Sequence, residues 1–288
     1  EHGAHVVVGT PGRVLKHLAK GSLDLSRLKS LVLDEADRML DMGFHDSIAE
    51  VVSQMPAQRQ TLLFSATYSN EVRAMSTRFQ RDPVSVTVAD TPEAIKITQI
   101  FHEVDGRERV NAVAAILRHH KPETAVLFCN TKQRCDEVVT ELAGKGFQVA
   151  ALHGDLEQRD RDLVLVKFSN RSCPILVATD VAARGLDIKD LAMVINVEMA
   201  FDPEVHVHRI GRTGRAGQSG LAVSLCAPAD GHRVLAVEDY QSIKVDWKDL
   251  PVATGASSTV LPRMVTLNIA GGRKDKVRPG DILGALTG

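Results

Sequence analysis

Two carboxylates, Asp34 and Glu35, stand side by side directly after the apolar run Leu31-Val32-Leu33. Such a run predicts a buried parallel strand, and open α/β sheets place ligands at the C-terminal ends of their strands. There Asp34 can hold a Mg²⁺ ion through water, while Glu35 can orient and deprotonate an attacking water. That is half of a station for a nucleoside triphosphate. The other half is a phosphate cradle, G-x-x-x-x-G-K-[ST]. Lys20-Gly21-Ser22 and Gly144-Lys145-Gly146 are the nearest approaches to it in the 288 residues, and neither fits. Alone, Asp34-Glu35-Ala36-Asp37 is a weak signal, because acidic residues often open helices.

A second cluster is cationic. The stretch Val207 to Gly217, VHRIGRTGRAG, gathers His208, Arg209, Arg212 and Arg215 between glycines. Arg212 and Arg215 are three apart, a spacing that on a helix points both guanidiniums the same way. No carboxylate occurs from Arg209 to Gly220, so the expectation is an unpaired positive cluster that takes an anion, a phosphate in transfer. A metal site on His206 and His208 is disfavoured, since no Cys or carboxylate stands at a familiar spacing.

Smaller motifs fit the same theme. Gly9-Thr10-Pro11-Gly12-Arg13 reads as a strand end that opens a helix. Thr10 can cap, Pro11 suits the first helical position, and Gly12 and Arg13 would admit a phosphate. An ordinary capped helix is the simpler reading of that motif alone. Ser65-Ala66-Thr67 follows another apolar run, where its hydroxyls can meet Asp37 across the sheet or cap the next helix.

The elements that position these residues follow from periodicity. Short β-branched runs alternate with amphipathic stretches, the pattern of parallel sheets wrapped by helices. In the first part, strands are predicted at Ala4–Gly9, Ser30–Asp34, Gln60–Ser65 and Val84–Val88. Helices are expected over Phe44–Gln54, with Ile48, Val51 and Val52 inward, and over Tyr68–Gln80. Residues 89–96 read as a linker. A second α/β domain spans 97–250, with strands at Ile97–Val104, Ala125–Cys129, Val149–His153, Ile175–Thr179, Val194–Val197 and Leu221–Cys226. Residues 251–262 form a second linker, and 263–288 open a further piece with a strand at Met264–Ile269 and a helix start at Arg278-Pro279-Gly280-Asp281.

Composition narrows the class. Hydrophobic content of 44% and charged content of 25% are ordinary for a globular protein. No apolar run approaches the roughly 18 residues of a membrane span. Cys129, Cys135, Cys173 and Cys226 show no C-x-x-C spacing and read as reduced, buried thiols of a cytoplasmic protein. With a net charge of −1, any polyanion must be held by a local basic strip.

TPGR, DEAD, SAT, LFCNTK (Leu127–Lys132), HGD (His153–Asp155), ATDVAARGLDI (Ala178–Ile188, after Val177) and HRIGRTGR, in this order, resemble the DEAD-box family of RNA helicases. The resemblance implies two RecA-like parallel-sheet domains, residues 1–88 being the C-terminal part of the first and 97–250 the second. It also implies that the missing cradle belongs N-terminal to TPGR, so that the chain is part of a longer protein and the 288 residues alone turn over no ATP. HGDLEQRDRD, DPEVHVHRIGRTGRAG and RPGDILGALTG narrow it to a bacterial subfamily specific for large-subunit ribosomal RNA. That subfamily carries a C-terminal RRM-like domain, of which 263–288 would be the beginning; Leu267 and Ile269 stand where an RRM often offers an aromatic.

Roles carried by the resemblance are these. Asp34 serves the metal and Glu35 the water, with ATP and Mg²⁺ as cofactors. Asp37, Ser65, Thr67 and His208 link ATP state to domain closure. Gly185 and Asp187 approach the nucleotide, Asp187 at the ribose, and Arg212 and Arg215 act as fingers on the γ-phosphate. Thr10, Gly12, Arg13, Thr131, Gln158, Arg161, Thr179 and Arg184 line an RNA backbone track. The implied partners are ribosomal RNA and a pre-ribosomal particle, met by a monomer without a membrane. An RNA-binding module without ATPase activity, and a DNA translocase of the same superfamily, are the alternatives; the DEAD tetrapeptide argues against the second.

Overall fold

A computed structural model describes residues 4–65, 67–87, 97–183, 191–214, 220–251, 262, 264–267, 269, 271 and 273–287. They divide into two units, residues 1–89 and 90–288.

In the first unit the order is α1 (Pro11–Ala19), β1 (Ser30–Leu33), α2 (Ala36–Asp41), α3 (His45–Ser53), β2 (Gln60–Leu63) and α4 (Asn70–Phe79). The two strands pair in parallel, Leu33 opposite Leu63. Leu31, Leu33 and Leu63 pack on Ile48, Met75 and Phe79, so alternate strand residues meet the apolar stripes of α3 and α4. The expected helix near Phe44–Gln54 is α3, with Ile48 and Val51 buried and Val52 half-buried.

Two predicted strands are corrected. Residues 4–9 and 84–87 form no strand, and Val6, Val8, Val84 and Val86 are largely exposed. β-branched composition favours an extended chain, but a strand exists only where a neighbour takes its N–H and C=O groups. No described strand lies beside either segment.

The second unit runs β3 (Ile97–Glu103), α5 (Arg109–His120), β4 (Ala125–Cys129), α6 (Lys132–Gly144), β5 (Val149–Leu152), α7 (Gln158–Ser169), β6 (Ile175–Thr179), α8 (Asp180–Ala183), β7 (Met193–Asn196), α9 (Pro203–Ile210), β8 (Gly220–Cys226), α10 (Gly231–Gln241) and β9 (Asp246–Trp247). Its sheet has the order β5-β6-β4-β7-β8-β3-β9, and every pairing is parallel. The expected strands are all present; β9, two residues long, carries no readable pattern. Leu127, Val177 and Ile195 face a core shared with α5 and α6, while Val126, Phe128, Leu176 and Ala178 face the other side with Phe168 of α7. Burial on both faces explains why these strands are apolar without alternation.

Among described residues 264–267 and 269 there is no strand, a third correction. A last helix, α11 (Pro279–Thr287), does follow the Arg278-Pro279-Gly280-Asp281 signal, and the Arg278 N–H donates to Asp281 Oδ2 at 2.9 Å. The expected linker 89–96 lies outside the described residues, as does most of 251–262. The four cysteines are buried and free, and no described helix is long and apolar enough to cross a membrane.

His206 of α9 is fully buried, stacked on Phe101 with centroids 5.9 Å apart, its Nε2 3.2 Å from Gln99 Oε1. Desolvation, reinforced by the Arg209 charge, pushes its pKa down to about 4. Between that value and the ordinary 6.5 the unfolded chain binds a proton that the folded chain does not, so stability rises with pH there. Urea unfolding should therefore show stability falling by about 3 kcal/mol from pH 7 toward pH 4 through this group, with His206→Gln removing most of that slope. A slope unchanged in the variant would locate the titration elsewhere.

Candidate functional site

In the first unit, Asp34 leaves β1 at the C-terminal edge of the sheet, where Ala36 N–H donates to Phe64 O at 3.0 Å and carries the pairing past the strands. Glu35 takes a left-handed backbone, φ 51° and ψ 51°. For a residue with a Cβ this costs about 1 kcal/mol or more, and such strain collects at functional sites. The turn is held by Glu35 N–H donating to Asp34 Oδ1 at 3.0 Å, and by Arg38 Nη1 donating to Glu35 Oε2 at 3.4 Å. Arg38 is buried while both carboxylates are exposed. The result is a pair of oriented oxygen ligands open to solvent.

Asp37 points inward. Thr67 donates to Asp37 Oδ2 through its N–H (3.0 Å) and its hydroxyl (3.2 Å), and Asp37 N–H donates to Ser65 Oγ at 3.2 Å. Burial opposes the Asp37 charge, but bonds from the Thr67 and Arg38 amides and the Thr67 and Ser65 hydroxyls outweigh it, holding the carboxyl below its usual range. Sequence left open whether Ser65 and Thr67 meet Asp37 or cap the next helix. The cap of α4 is Ser69, whose hydroxyl accepts from Val72 N–H at 3.3 Å, leaving the other two for Asp37. Thr10 sits at the N-cap of α1 without a side-chain bond; it, Gly12 and Arg13 line the exposed start of that helix, and a Cβ on Gly12 would meet only open space.

The second unit corrects the reading of the arginines. Arg209 is buried and paired: Nε and Nη2 donate to Asp180 at 2.7 and 2.8 Å, Nη2 also to Asn130 Oδ1 at 2.8 Å, and Nη1 to Glu198 O at 2.8 Å. The guanidinium lies 5.3 Å from the Phe128 ring centre. The neutralising carboxylate is thus 29 residues upstream, beyond the reach of a local count. Nor is Arg212 helical, for α9 stops at Ile210 and Arg212 lies in the turn that follows. Its carbonyl accepts from Leu191 N–H at 3.2 Å, and Thr213 Oγ1 donates to Leu191 O. Close by, Gly214 has φ 76°, and a Cβ on Gly220 would fall 2.5 Å from Gly214 N. Both glycines are sterically required there. His208 and Arg212 are half-buried and each has an interaction partner.

Other expected residues follow the C-terminal ends of β4, β5 and β6. Thr131 caps α6, its hydroxyl accepting from Arg134 N–H at 3.1 Å. Thr179 closes β6 and is buried. On α7, Gln158 is exposed and donates to Asp162 at 2.7 Å, and Arg161 donates to Ala182 O at 2.8 Å. Arg184, Gly185, Asp187 and Arg215 lie outside the described residues. Asn130, Asp180 and Glu198, which sequence reasoning did not single out, turn out to hold the centre of this edge.

Comparison with known proteins closes the question of kinship. Residues 1–75 match the family model for DEAD/DEAH box helicases, and 108–217 the model for the helicase conserved C-terminal domain. The chain belongs to the DEAD-box helicase family. Among its relatives in that family, ATP-dependent RNA helicase DbpA of Escherichia coli K12 is 52% identical over all 288 residues, which span 63% of that protein. DEAD-box ATP-dependent RNA helicase CshA of Geobacillus kaustophilus is 44% identical over 227 residues, 78% of this chain and 49% of that one. The fold agrees with that of S. cerevisiae Dbp5 bound to RNA and ADP BeF3, at a TM-score of 0.78 and 30% identity, covering 86% of this chain and 66% of that one. The two parallel-sheet units are therefore the RecA-like domains of a DEAD-box helicase, consistent with the sequence expectation.

Within that scaffold the Arg209 charge depends on Asp180. Removing one member of a buried pair strands the other, at a cost of about 3–5 kcal/mol. Asp180→Ala should lower the urea-unfolding stability of the second unit by about that amount, whereas Lys132→Ala, which breaks an exposed pair with Asp155 (2.5 Å), should cost under about 1 kcal/mol.

Proposed function

We propose that the protein of which this chain is part is an ATP-dependent RNA helicase acting on ribosomal RNA in large-subunit assembly. The observation that carries the reading is the Asp34–Glu35 turn: two exposed carboxylates at the C-terminal edge of a parallel strand, one on a strained left-handed backbone. Asp34 offers the hard oxygen ligand that Mg²⁺ prefers, already oriented by the Glu35 amide. When bound, Mg²⁺ would neutralise charge on the β- and γ-phosphates of ATP. Glu35 accepts the proton of the attacking water. Asp37, Ser65, Thr67 and His208 pass nucleotide state to the rest of the molecule. Gly185 and Asp187 meet the nucleotide, while Arg212 and Arg215 meet charge developing on the γ-phosphate.

Thr10, Gly12, Arg13, Thr131, Gln158, Arg161, Thr179 and Arg184 are proposed to hold RNA by sugar and phosphate, which suits a chain of net charge −1. Thr131 and Thr179 would act largely through the backbone they fix, given the capping bond of one and the burial of the other. The 52% identity to a bacterial ATP-dependent RNA helicase supports a bacterial setting. A cytoplasmic location, a pre-ribosomal particle as the place of action, a monomeric state and residues 263–288 as the opening of an RRM-like domain complete the proposal, the last without the strand expected at 264–269 among the described residues. ATP turnover is assigned to the full-length protein, because the 288 residues contain no G-x-x-x-x-G-K-[ST] sequence.

The decisive measurement is RNA-stimulated ATP hydrolysis by full-length variants. Glu35→Gln should abolish turnover while retaining ATP affinity. Arg212→Ala should slow it by about 10³–10⁵, or about 4–7 kcal/mol of barrier, with RNA affinity and its salt dependence within a few-fold of the parent. If Arg212→Ala instead flattened the salt dependence of RNA binding and spared turnover, Arg212 would be an RNA contact and the assignment wrong.

A further inference from the structure

Thr266 is where the C-terminal segment touches the second unit through polar side chains. Val265 and Leu267 on either side are exposed, at 80% and 59%, so the contact is not hydrophobic burial. Thr266 Oγ1 lies 2.8 Å from Asn170 Nδ2 and 2.5 Å from Ser172 Oγ. Both partners belong to the turn that ends α7.

That turn is built independently of Thr266. Asn170 Oδ1 accepts from Ser172 N–H at 3.0 Å, which fixes the amide so that its NH₂ faces Thr266. The Ser172 hydroxyl lies 3.2 Å from Lys167 O, a carbonyl that also accepts from the Ser172 and Cys173 amides at 3.0 Å and so anchors the turn on α7. Between them, Arg171 takes a left-handed backbone, φ 64°, and pairs with Glu123 at 3.0 Å. Thr266 accepts from Asn170 and shares a hydrogen bond with the Ser172 hydroxyl in which either oxygen can donate. A hydroxyl at this position satisfies both; a methyl satisfies neither.

We infer that the Asn170-Arg171-Ser172 turn is a docking seat for the C-terminal segment, keyed by the Thr266 hydroxyl. Rising about 1.5 Å per residue, the 12-residue α7 separates the seat by about 18 Å from Gln158 at its other end. Beyond the seat come the exposed Lys274, Lys276 and Arg278 and then α11. The seat therefore sets where the stretch carrying these three cations begins relative to the RNA track, and its role in RNA binding is part of the inference. This function rests on the proposed role of Gln158 and Arg161. Fixing two RNA-contacting surfaces on one helix raises the effective concentration of the second once the first is bound.

The full-length protein tests it in two arms. Thr266→Val keeps shape and removes both bonds; amide exchange at Val265 and Leu267 should quicken about tenfold while that of α7 from Leu163 to Phe168 stays unchanged. Ser172→Cys with Thr266→Cys should form an intramolecular disulfide under mild oxidation, seen as a gel-mobility shift absent from either single variant. Unchanged exchange together with no cross-link would overturn the seat. In the second arm, Thr266→Val should weaken a folded RNA long enough to reach both surfaces by several-fold and leave a short single strand unaffected. Equal loss on both RNAs, or on neither, would overturn the positioning role. Arg161→Ala is the control: if it leaves single-strand affinity intact, the RNA track reading fails while the exchange and cross-link results still judge the seat.

Discussion

A buried guanidinium organises the second unit. Arg209 is almost wholly withdrawn from water and is tolerated because a carboxylate, an amide oxygen and a backbone carbonyl take up its donors. Those acceptors come from the ends of three neighbouring strands: Asn130 after β4, Asp180 after β6 and Glu198 after β7. A charge in a low-dielectric interior holds its partners to close geometry, since each lost bond costs desolvation that nothing returns. Thr131, beside Asn130, and Thr179, the last residue of β6 beside Asp180, therefore inherit fixed positions from one buried residue.

The first unit reaches the same end by a milder route. Asp37 gathers Thr67 and Ser65 across the β1–β2 edge, and hydrogen bonds stabilise its carboxyl as the anion. Strain at Glu35 and the buried Arg38 beside it keep a short acidic turn in one shape. Parallel sheets collect loops from many strands at one edge, so a few polar ties suffice to set a whole reactive surface.

Much of this was legible beforehand. Apolar runs bounded by turn residues mark strands buried on both faces, because such strands need no alternation, and the motif order alone identified the family. The left-handed Glu35, by contrast, left no compositional trace. Nor did β9, whose two residues hold their place by pairing with Ile100 and Phe101.

Sequence by itself determined the α/β class, the division into two α/β units and the residue types available for chemistry, since each depends on neighbours within a few positions. The caps it suggested did not form, Thr10 making no side-chain capping bond and Ser69 taking the cap of α4. Tertiary structure alone decided which charges are free. Arg209 looked unpaired because its carboxylate lies 29 residues away and meets it only once β6 and β7 flank β4 in the sheet. The same holds for residues 4–9 and 84–87, whose β-branched composition is a local property while a strand is a relation between two segments. Ser65 and Thr67 were ambiguous between capping a helix and binding Asp37 until Ser69 took the cap. A hydroxyl or a guanidinium can serve many partners, and only the folded chain brings one of them within 3 Å or so.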